Sequence, residues 1–342
     1  MLAVLALLVL AGCGSITNAN STPAPTSPGT SGVLVGAGST LVAPLISQWQ
    51  PVYDKQFGVA VTYGAIGSGG GIAQITAKTV DFGASDAPLT PDQHSAASGV
   101  LQVPWALAAT VVAYHVQGVP NQLKLTGPVL SDIWLGKITS WDDPAIAKLN
   151  PGVTLPSTKI TPVYRSDGSG DTYAFTDYLS RVSPEWKSQV GTSTQVSFPV
   201  GIGGKGNAGV GGVIASTNGS IGYIAISYVV QNHFDYALVQ NAAGDYPVPN
   251  VASISAAAAT VTSVPADNAV SIVDPPASAP NAYPISTFTY ALVWQTAPKA
   301  VTLRHFLTWA ITDGQSFGPP LEFAPLPAKI VAADKATIAT IK

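Results

Sequence analysis

Three short glycine-rich segments of the sequence each carry a hydroxyl side chain and lie directly before a helix-length run. They span residues 36–40 (GAGST), 67–71 (GSGGG) and 167–170 (DGSG). A glycine turn before a helix leaves several backbone N–H groups unpaired, and the helix dipole adds partial positive charge there. Such a terminus can bind an anion. One turn is weak evidence, because glycine turns start many helices for backbone reasons alone, but three in one chain indicate an anion site.

The remaining composition argues against several other kinds of site. No Gly-Lys-Ser/Thr follows these glycines and no dinucleotide fingerprint is present, so a nucleotide is the less favoured anion. A single cysteine, Cys13, excludes an intrachain disulfide, a CxxC redox pair and a thiolate zinc site. Two Glu and four His, none at metal-ligand spacing, predict no metal and no cofactor. Only 15 Lys and Arg are spread along a chain of formal charge -3, so no nucleic-acid partner is expected.

The chain of 342 residues is long enough for about two domains, and its pattern is that of an α/β protein. Runs rich in Val, Ile and Tyr alternate with helix-length segments rich in Ala, Ile and Leu. Predicted strands span residues 33–36, 59–63, 82–84, 110–114, 161–165, 221–226 and 289–294. Predicted helices span residues 41–53, 70–78, 131–135, 171–181, 253–259, 301–311 and 329–338.

Two apolar segments raise the question of a membrane. No charged residue occurs between Asp92 and Lys124, but the most apolar part, residues 105–114, is too short to span a bilayer and predicts buried strands. Residues 1–12 (MLAVLALLVLAG) have the length of an export signal. The following Cys13 completes a segment that resembles a bacterial lipobox, which predicts acylation of this cysteine; the alternative is a buried, inert thiol. Residues 14–32 lack charge and aromatic side chains and predict a flexible linker, so residues 13–32 tether a body that starts near Val33.

Taken together, the motifs resemble the phosphate-binding component of bacterial phosphate ABC importers. The similarity covers residues 33–342. The motifs that carry it follow the family's order: residues 36–44 (GAGSTLVAP), 67–71, 80–88 (VDFGASDAP), 135–138 (LGKI), 141–143 (WDD), 165–171 (RSDGSGD), 203–207 (GGKGN) and 221–224 (IGYI). Residues 169–172 (SGDT) and 309–314 (WAITDG) look most like the lipoprotein form from actinobacteria, mycobacteria included.

The resemblance implies a two-domain periplasmic-binding-protein fold of the type II-like class, with crossing hinge strands and a ligand cleft between the domains. Domain I would comprise residues 33–111 plus 287–342, and domain II residues 112–286. It further implies a non-enzymatic, extracytoplasmic receptor, monomeric and lipid-anchored, that delivers inorganic phosphate to the membrane permease of an ABC importer. Carried over by position, the phosphate-binding residues are Thr40, Leu41, Ser68, Asp86, Arg165, Ser169, Gly170 and Asp171, with Asp167 and Thr172 supporting them.

Arg165 and Asp86 have complementary roles in such a site. A guanidinium can hold two phosphate oxygens in one plane. A carboxylate such as Asp86 repels an anion unless it accepts a hydrogen bond from a proton that the ligand carries. Phosphate at neutral pH keeps a proton and sulfate has none, so Asp86 predicts rejection of sulfate. Its alternative role is a turn or N-cap aspartate before Ala-Pro.

Other acidic and basic residues near these motifs leave alternatives open. Asp171 stands where the family usually has Thr; it either adds a second acceptor beside the ligand, or turns outward while Thr172 donates instead. Asp167 either orients Arg165 or is a solvated turn residue. Lys205 would add positive field or cap a loop near the cleft. Trp49, Trp141, Trp186 and Trp309 are expected to be packing residues, because phosphate has no apolar face.

Three competing functions remain. A receptor for another oxyanion (sulfate, molybdate or a phosphonate) would use the same turns. A serine-dependent or phosphate-ester hydrolase would use Ser169 or Ser68, but no Gly-x-Ser-x-Gly elbow or accompanying His motif is present. A phosphate sensor or adhesin that has lost its importer is the third.

Overall fold

The computed structural model describes residues 32–342. The predicted signal (1–12), Cys13 and the linker up to residue 31 lie outside the described residues. Within residues 32–342, no helix combines the length and the apolar character that crossing a membrane requires.

The described chain is the mixed α/β protein that the sequence predicts. Its strands are β1 (Gly32–Gly38), β2 (Val59–Ala65), β3 (Phe82–Ser85), β4 (Val100–His115), β5 (Lys124–Leu125), β6 (Thr161–Arg165), β7 (Ile202–Gly204), β8 (Ser220–Ala225), β9 (Asp235–Tyr236), β10 (Leu238–Val239) and β11 (Ser286–Trp294). Its α-helices are α1 (Ala43–Phe57), α2 (Ser68–Thr76), α3 (Pro91–Ala96), α4 (Gly127–Trp134), α5 (Pro144–Leu149), α6 (Gly170–Val182), α7 (Pro184–Gln189), α8 (Gly206–Ser216), α9 (Ile226–Asn232), α10 (Val251–Ala258), α11 (Ala300–Ala310) and α12 (Ala328–Ala339). Two 3-10 helices, Asp313–Phe317 and Pro319–Leu321, precede α12.

The main sheet consists of two parallel groups joined by antiparallel strands. Its order is β2-β1-β3-β11-β4-β8-β6-β7, with β9 pairing to β4. In the first group β1 is parallel to β2 and β3, and in the second β6 is parallel to β7 and β8. We call these the first and second strand groups. A separate small sheet pairs β10 with β5.

Strand β4 connects the two groups. Its first part pairs with β11 and its second part, from Thr110, pairs with β8. This one strand contains residues 105–114, the most apolar part of the uncharged segment, which confirms that this part is buried strand rather than a membrane helix. The predicted strand at 110–114 is therefore too short, because the apolar residues before it continue the same strand.

Helices α1 and α2 begin and end a few residues away from the predicted positions, at proline and glycine residues that fix the helix ends. Helix α1 begins at Ala43 rather than at residue 41 because Pro44 occupies its first turn, and it runs on to Phe57, where Gly58 takes the left-handed conformation at φ 66. Helix α2 begins at Ser68, directly after Gly67 at φ 88.

Aromatic side chains fill the core in both halves of the protein. Trp49 packs edge to face on Trp105 and Trp309 in the first half, while Phe175 stacks on Tyr223 in the second. The four tryptophans predicted to be packing residues are all buried: Trp49, Trp141, Trp186 and Trp309.

Candidate functional site

The predicted site residues follow the carboxyl ends of parallel strands in both strand groups. In the first group, Thr40 follows β1, Ser68 follows β2 and Asp86 follows β3. In the second, Arg165 ends β6 and the segment 169–171 begins α6 directly after it. Ligands of open α/β sheets bind outside the carboxyl ends of the strands. The topology therefore brings the predicted residues together at one place.

Backbone and hydroxyl groups of the two strand groups are in direct contact there. Gly170 N–H donates to Ser68 Oγ at 3.1 Å, and Gly69 N–H donates to the Gly168 carbonyl at 3.0 Å. Ser68 Oγ also accepts the Asp86 N–H at 3.2 Å, so two N–H groups fill its lone pairs. Its own hydrogen is donated to Asp86 Oδ2 at 3.2 Å.

Arg165 is buried and held by two aspartates. Its Nε and Nη2 donate to the two oxygens of Asp167 at 2.8 and 2.6 Å, and its Nη1 donates to Asp171 Oδ2 at 3.0 Å. Burial acts to raise the pKa of Asp167, but the hydrogen bonds and charge of Arg165 outweigh it and hold this pKa below its ordinary value. Three of the five guanidinium N–H groups are thus used, which leaves one on each terminal nitrogen for an anion.

Asp86 combines full burial with an incomplete set of hydrogen bonds. Its Oδ2 accepts from Ser68, whereas its Oδ1 has no hydrogen-bond partner among the described residues. Burial raises the pKa of Asp86 above its ordinary value, and the negative charge of Asp171 adds to the effect; the charge of Arg165 and the hydrogen bond from Ser68 oppose it. A buried acceptor of this kind is costly unless something donates to it.

Asp171 is buried as well, but its oxygens are occupied by protein groups. Oδ1 accepts from Thr110 Oγ1 at 2.8 Å, and Oδ2 accepts from Arg165 and from Asn207 Nδ2 at 2.8 Å. The alternative in which Asp171 turns outward is wrong, because Arg165 draws it inward. Thr172 Oγ1 meanwhile lies 2.7 Å from the Tyr223 hydroxyl.

The other predicted residues have mixed surroundings. Thr40 is buried against Asn207, and the Leu41 N–H donates to Ser39 Oγ at 3.0 Å. Ser169 caps α6 by accepting the Thr172 N–H at 3.3 Å. Lys205 is exposed directly before α8 and does not enter the buried cluster.

Formal charge does not make this site attractive to anions. One guanidinium, that of Arg165, faces three carboxylates, those of Asp86, Asp167 and Asp171. Binding of an anion must then depend on directed N–H and O–H groups, on helix N-termini, and on a proton shared with Asp86.

Comparisons with known proteins identify the family and the fold of this chain. A family model described as a PBP superfamily domain matches residues 23–314. The "Phosphate-binding protein PstS" of Xylella fastidiosa is 42% identical over 93% of this chain and 88% of its own length. The chain belongs to the PstS phosphate-binding protein family. The "Phosphate-binding protein PstS 3" of Mycobacterium leprae is 33% identical over 93% of this chain and 91% of its own length. The mycobacterial relative is thus similar to this chain, at a lower sequence identity than the Xylella relative.

The solved structure of "a high affinity periplasmic phosphate-binding protein (PfluDING) bound with phosphate" shares the fold. It superposes with a TM-score of 0.71 at 22% identity and covers 90% of this chain and 93% of that one. The predicted periplasmic-binding-protein fold is therefore confirmed for this PstS family member.

Sequence reasoning missed four residues that bond to the predicted set: Ser39, Thr110, Asn207 and Tyr223. Ser39, Asn207 and Tyr223 lie inside motifs that pointed to the family, so their positions were marked but their partners were not. Thr110 lies in the apolar strand β4, and only the pairing of strands brings it to Asp171.

Proposed function

We propose that this protein binds inorganic phosphate between the carboxyl ends of its two strand groups. Thr40, Leu41, Ser68, Arg165, Ser169 and Gly170 would supply N–H and O–H donors, and Asp86 would accept the hydrogen of the ligand. Leu41, Ser68 and Gly170 would exchange the hydrogen bonds they donate to Ser39, Asp86 and Ser68 for bonds to the ligand. Asp167 fixes the guanidinium plane. Asp171 is predicted beside the ligand, where it orients Arg165 and has little accepting capacity left after three hydrogen bonds.

The observation that carries this proposal is Asp86 Oδ1. It is buried and has no hydrogen-bond partner within residues 32–342. The charge of Arg165, whose guanidinium keeps two N–H groups for a ligand, acts on this carboxyl, and the turn at Gly170 crowds it. A ligand that accepts hydrogen bonds on several oxygens and donates one completes this arrangement. Phosphate does so, whereas an unprotonated sulfate leaves two acceptors opposed.

Titration calorimetry with phosphate and with sulfate tests the proposal. We expect tight phosphate binding by the wild type, near loss of binding in Arg165→Ala, and a narrower phosphate-over-sulfate margin in Asp86→Asn. Sulfate that binds the wild type as tightly as phosphate well above pH 7, where Asp86 is ionised, would assign the site to another oxyanion. Unchanged binding in both variants would refute the site.

We further propose that the protein is an extracytoplasmic receptor that delivers phosphate to the permease of an ABC importer and is not an enzyme. Its two domains, residues 33–111 plus 287–342 and residues 112–286, would close over the ligand about β4 and β11, and the monomer would present the closed surface to the permease. The family membership supports this role, since the relatives are named for phosphate binding.

Attachment to the membrane would occur through an acyl chain on Cys13 after removal of residues 1–12. Metabolic labelling with a radioactive palmitate in an expressing bacterium tests it. We expect label in the wild type and none in Cys13→Ala; equal label in both would exclude this anchor.

A further inference from the structure

Asn207 joins three parts of the protein directly through its side chain. It is the second residue of α8 and is buried. Its Oδ1 accepts the Ala225 N–H at 2.9 Å, and its Nδ2 donates both to Thr40 Oγ1 at 2.9 Å and to Asp171 Oδ2 at 2.8 Å. Both hydrogens of the Asn207 side-chain amide are therefore engaged in hydrogen bonds.

These bonds fix the direction in which Thr40 donates. A hydroxyl oxygen has two acceptor sites and one hydrogen. Thr40 Oγ1 accepts from Asn207 twice, from Nδ2 and from the backbone N–H at 3.3 Å. With both acceptor sites filled by Asn207, the Thr40 hydroxyl can take part in a further hydrogen bond only as a donor. Because the hydrogen of phosphate is directed at Asp86 in the proposed site, the oxygens that face Thr40 would be acceptors.

The same bonds connect the two strand groups. Thr40 follows β1 in the first group, whereas Asn207 follows β7 in the second. Gly206, the preceding residue, has φ 67 and donates its N–H to Asp167 Oδ1 at 2.9 Å, so the start of α8 supports Arg165 as well. A side chain at 206 would be strained by this φ and would lie 3.4 Å from Thr40 Cγ2.

We propose that Asn207 is a positioning residue that forms its bonds to Thr40 only when the strand groups close, and that it thereby turns the Thr40 hydroxyl into a donor toward phosphate. This inference rests on the proposed function. Because the bonds form on closure, their loss should raise the dissociation rate of phosphate and leave the association rate nearly unchanged.

The test measures phosphate affinity and stopped-flow kinetics for Asn207→Ala and Asn207→Asp. The second variant keeps the acceptor for Ala225 N–H and the shape of the side chain, but it removes both donors. We expect each to bind inorganic phosphate roughly 10- to 100-fold more weakly, through faster dissociation, as for a hydrogen bond to a charged group. The loss in Asn207→Asp should grow as pH rises, because a second carboxylate then faces Asp171.

Asn241→Ala is the matched control. Asn241 is also buried and donates twice, to the carbonyls of Pro280 and Ala282 at 2.7 and 3.1 Å, but its partners lie outside the site. This variant should lose thermal stability without losing phosphate affinity. If it loses affinity to the same extent as Asn207→Ala, the effect is general destabilisation and the positioning role is refuted.

A double-mutant cycle with Thr40→Val tests the route through Thr40. If Asn207 acts by orienting that hydroxyl, Asn207→Ala should cost clearly less affinity in the Thr40→Val background than in the wild type. Fully additive losses, or wild-type dissociation rates in both Asn207 variants, would overturn the inference. Failure of the wild type itself to bind phosphate would instead refute the proposed function.

Discussion

Gly170 lies directly against Asp86 across the contact between the two strand groups. A Cβ atom at position 170 would stand 2.2 Å from Asp86 Cβ and 2.6 Å from Asp86 Oδ2. Gly170 is the first residue of α6 and its φ is not left-handed, so the backbone conformation does not require glycine here. The requirement comes from the lack of space for a side chain. The first turn of the helix can approach the buried carboxyl only because its first residue has no side chain.

Gly170→Ala should therefore weaken phosphate binding without unfolding the protein. The added methyl group opposes the close approach, and overpacking of this kind costs about 1–3 kcal/mol, or roughly 10- to 100-fold in affinity. Calorimetry with phosphate measures it. Gly212→Ala is the control, because a Cβ at 212 in α8 meets nothing within 4 Å; it should keep full affinity. Equal affinities for both variants would contradict the close contact.

Sulfate binding should depend on pH in a way that phosphate binding does not. Burial, with the charge of Asp171, raises the pKa of Asp86 to about 7, so the carboxyl carries its own proton below that pH. A protonated Asp86 can donate to sulfate, which has no hydrogen of its own. Above about pH 7 the sulfate affinity should fall tenfold for each pH unit, as expected for one required proton.

Calorimetry with sulfate checks this expectation. A range from about pH 5.5 to about 8.5 brackets the pKa of Asp86. Phosphate brings a proton and should show a much shallower fall over the same range. In Asp86→Asn the amide donates at every pH, so the sulfate dependence should disappear. A wild-type sulfate affinity that is constant with pH would contradict the role of Asp86.

Phosphate affinity should be nearly independent of salt. The buried cluster contains one guanidinium and three carboxylates, so its attraction for an anion comes from short directed hydrogen bonds and not from net positive charge. Buried interactions of this kind are screened little. Raising KCl from about 0.05 to 0.5 M should change the dissociation constant by less than about threefold; a tenfold weakening would show that an exposed positive field is needed.

The sequence indicated the individual turns of the site but not the contacts between them. Ser68, Asp86 and Arg165 each belong to a motif with a local signature, so their types and positions were readable. Their meeting depends on the order of strands in the sheet, which no local pattern contains. Thr110 shows the limit most clearly, because it lies in an apolar strand and reaches Asp171 only through the pairing of β4 with β8.

Helix α8 shows a different limit. Glycines at 206, 209, 211 and 212 argue against a helix by propensity. The helix forms because glycines in it and in the preceding strand allow close packing: a Cβ at Gly204 in β7 would lie 2.6 Å from Val210 N, and one at Gly211 in α8 would lie 3.2 Å from the Phe234 ring. Tertiary packing overrides the local preference here, and this is why the helix and the contacts that Asn207 makes at its start could not be predicted.

Asp334 in α12 should make the protein less stable as pH rises. Both of its carboxylate oxygens are buried without a hydrogen-bond partner among residues 32–342, and burial raises its pKa to about 9. The unfolded chain releases this proton near pH 4, as an ordinary aspartate does. Between about pH 4 and 9 the folded state therefore binds more protons than the unfolded state, and the free energy of unfolding decreases with pH.

Asp334→Leu should remove this dependence and raise the free energy of unfolding near neutral pH by about 1–3 kcal/mol, the cost of an unsatisfied buried group. Urea unfolding at several pH values, with phosphate absent, measures both effects. Asp54→Leu is the control for the replacement of an aspartate by leucine as such, since Asp54 is exposed on α1. If the free energy of unfolding of Asp334→Leu depends on pH as steeply as that of the wild type, the buried carboxyl of Asp334 has a hydrogen-bond partner in solution.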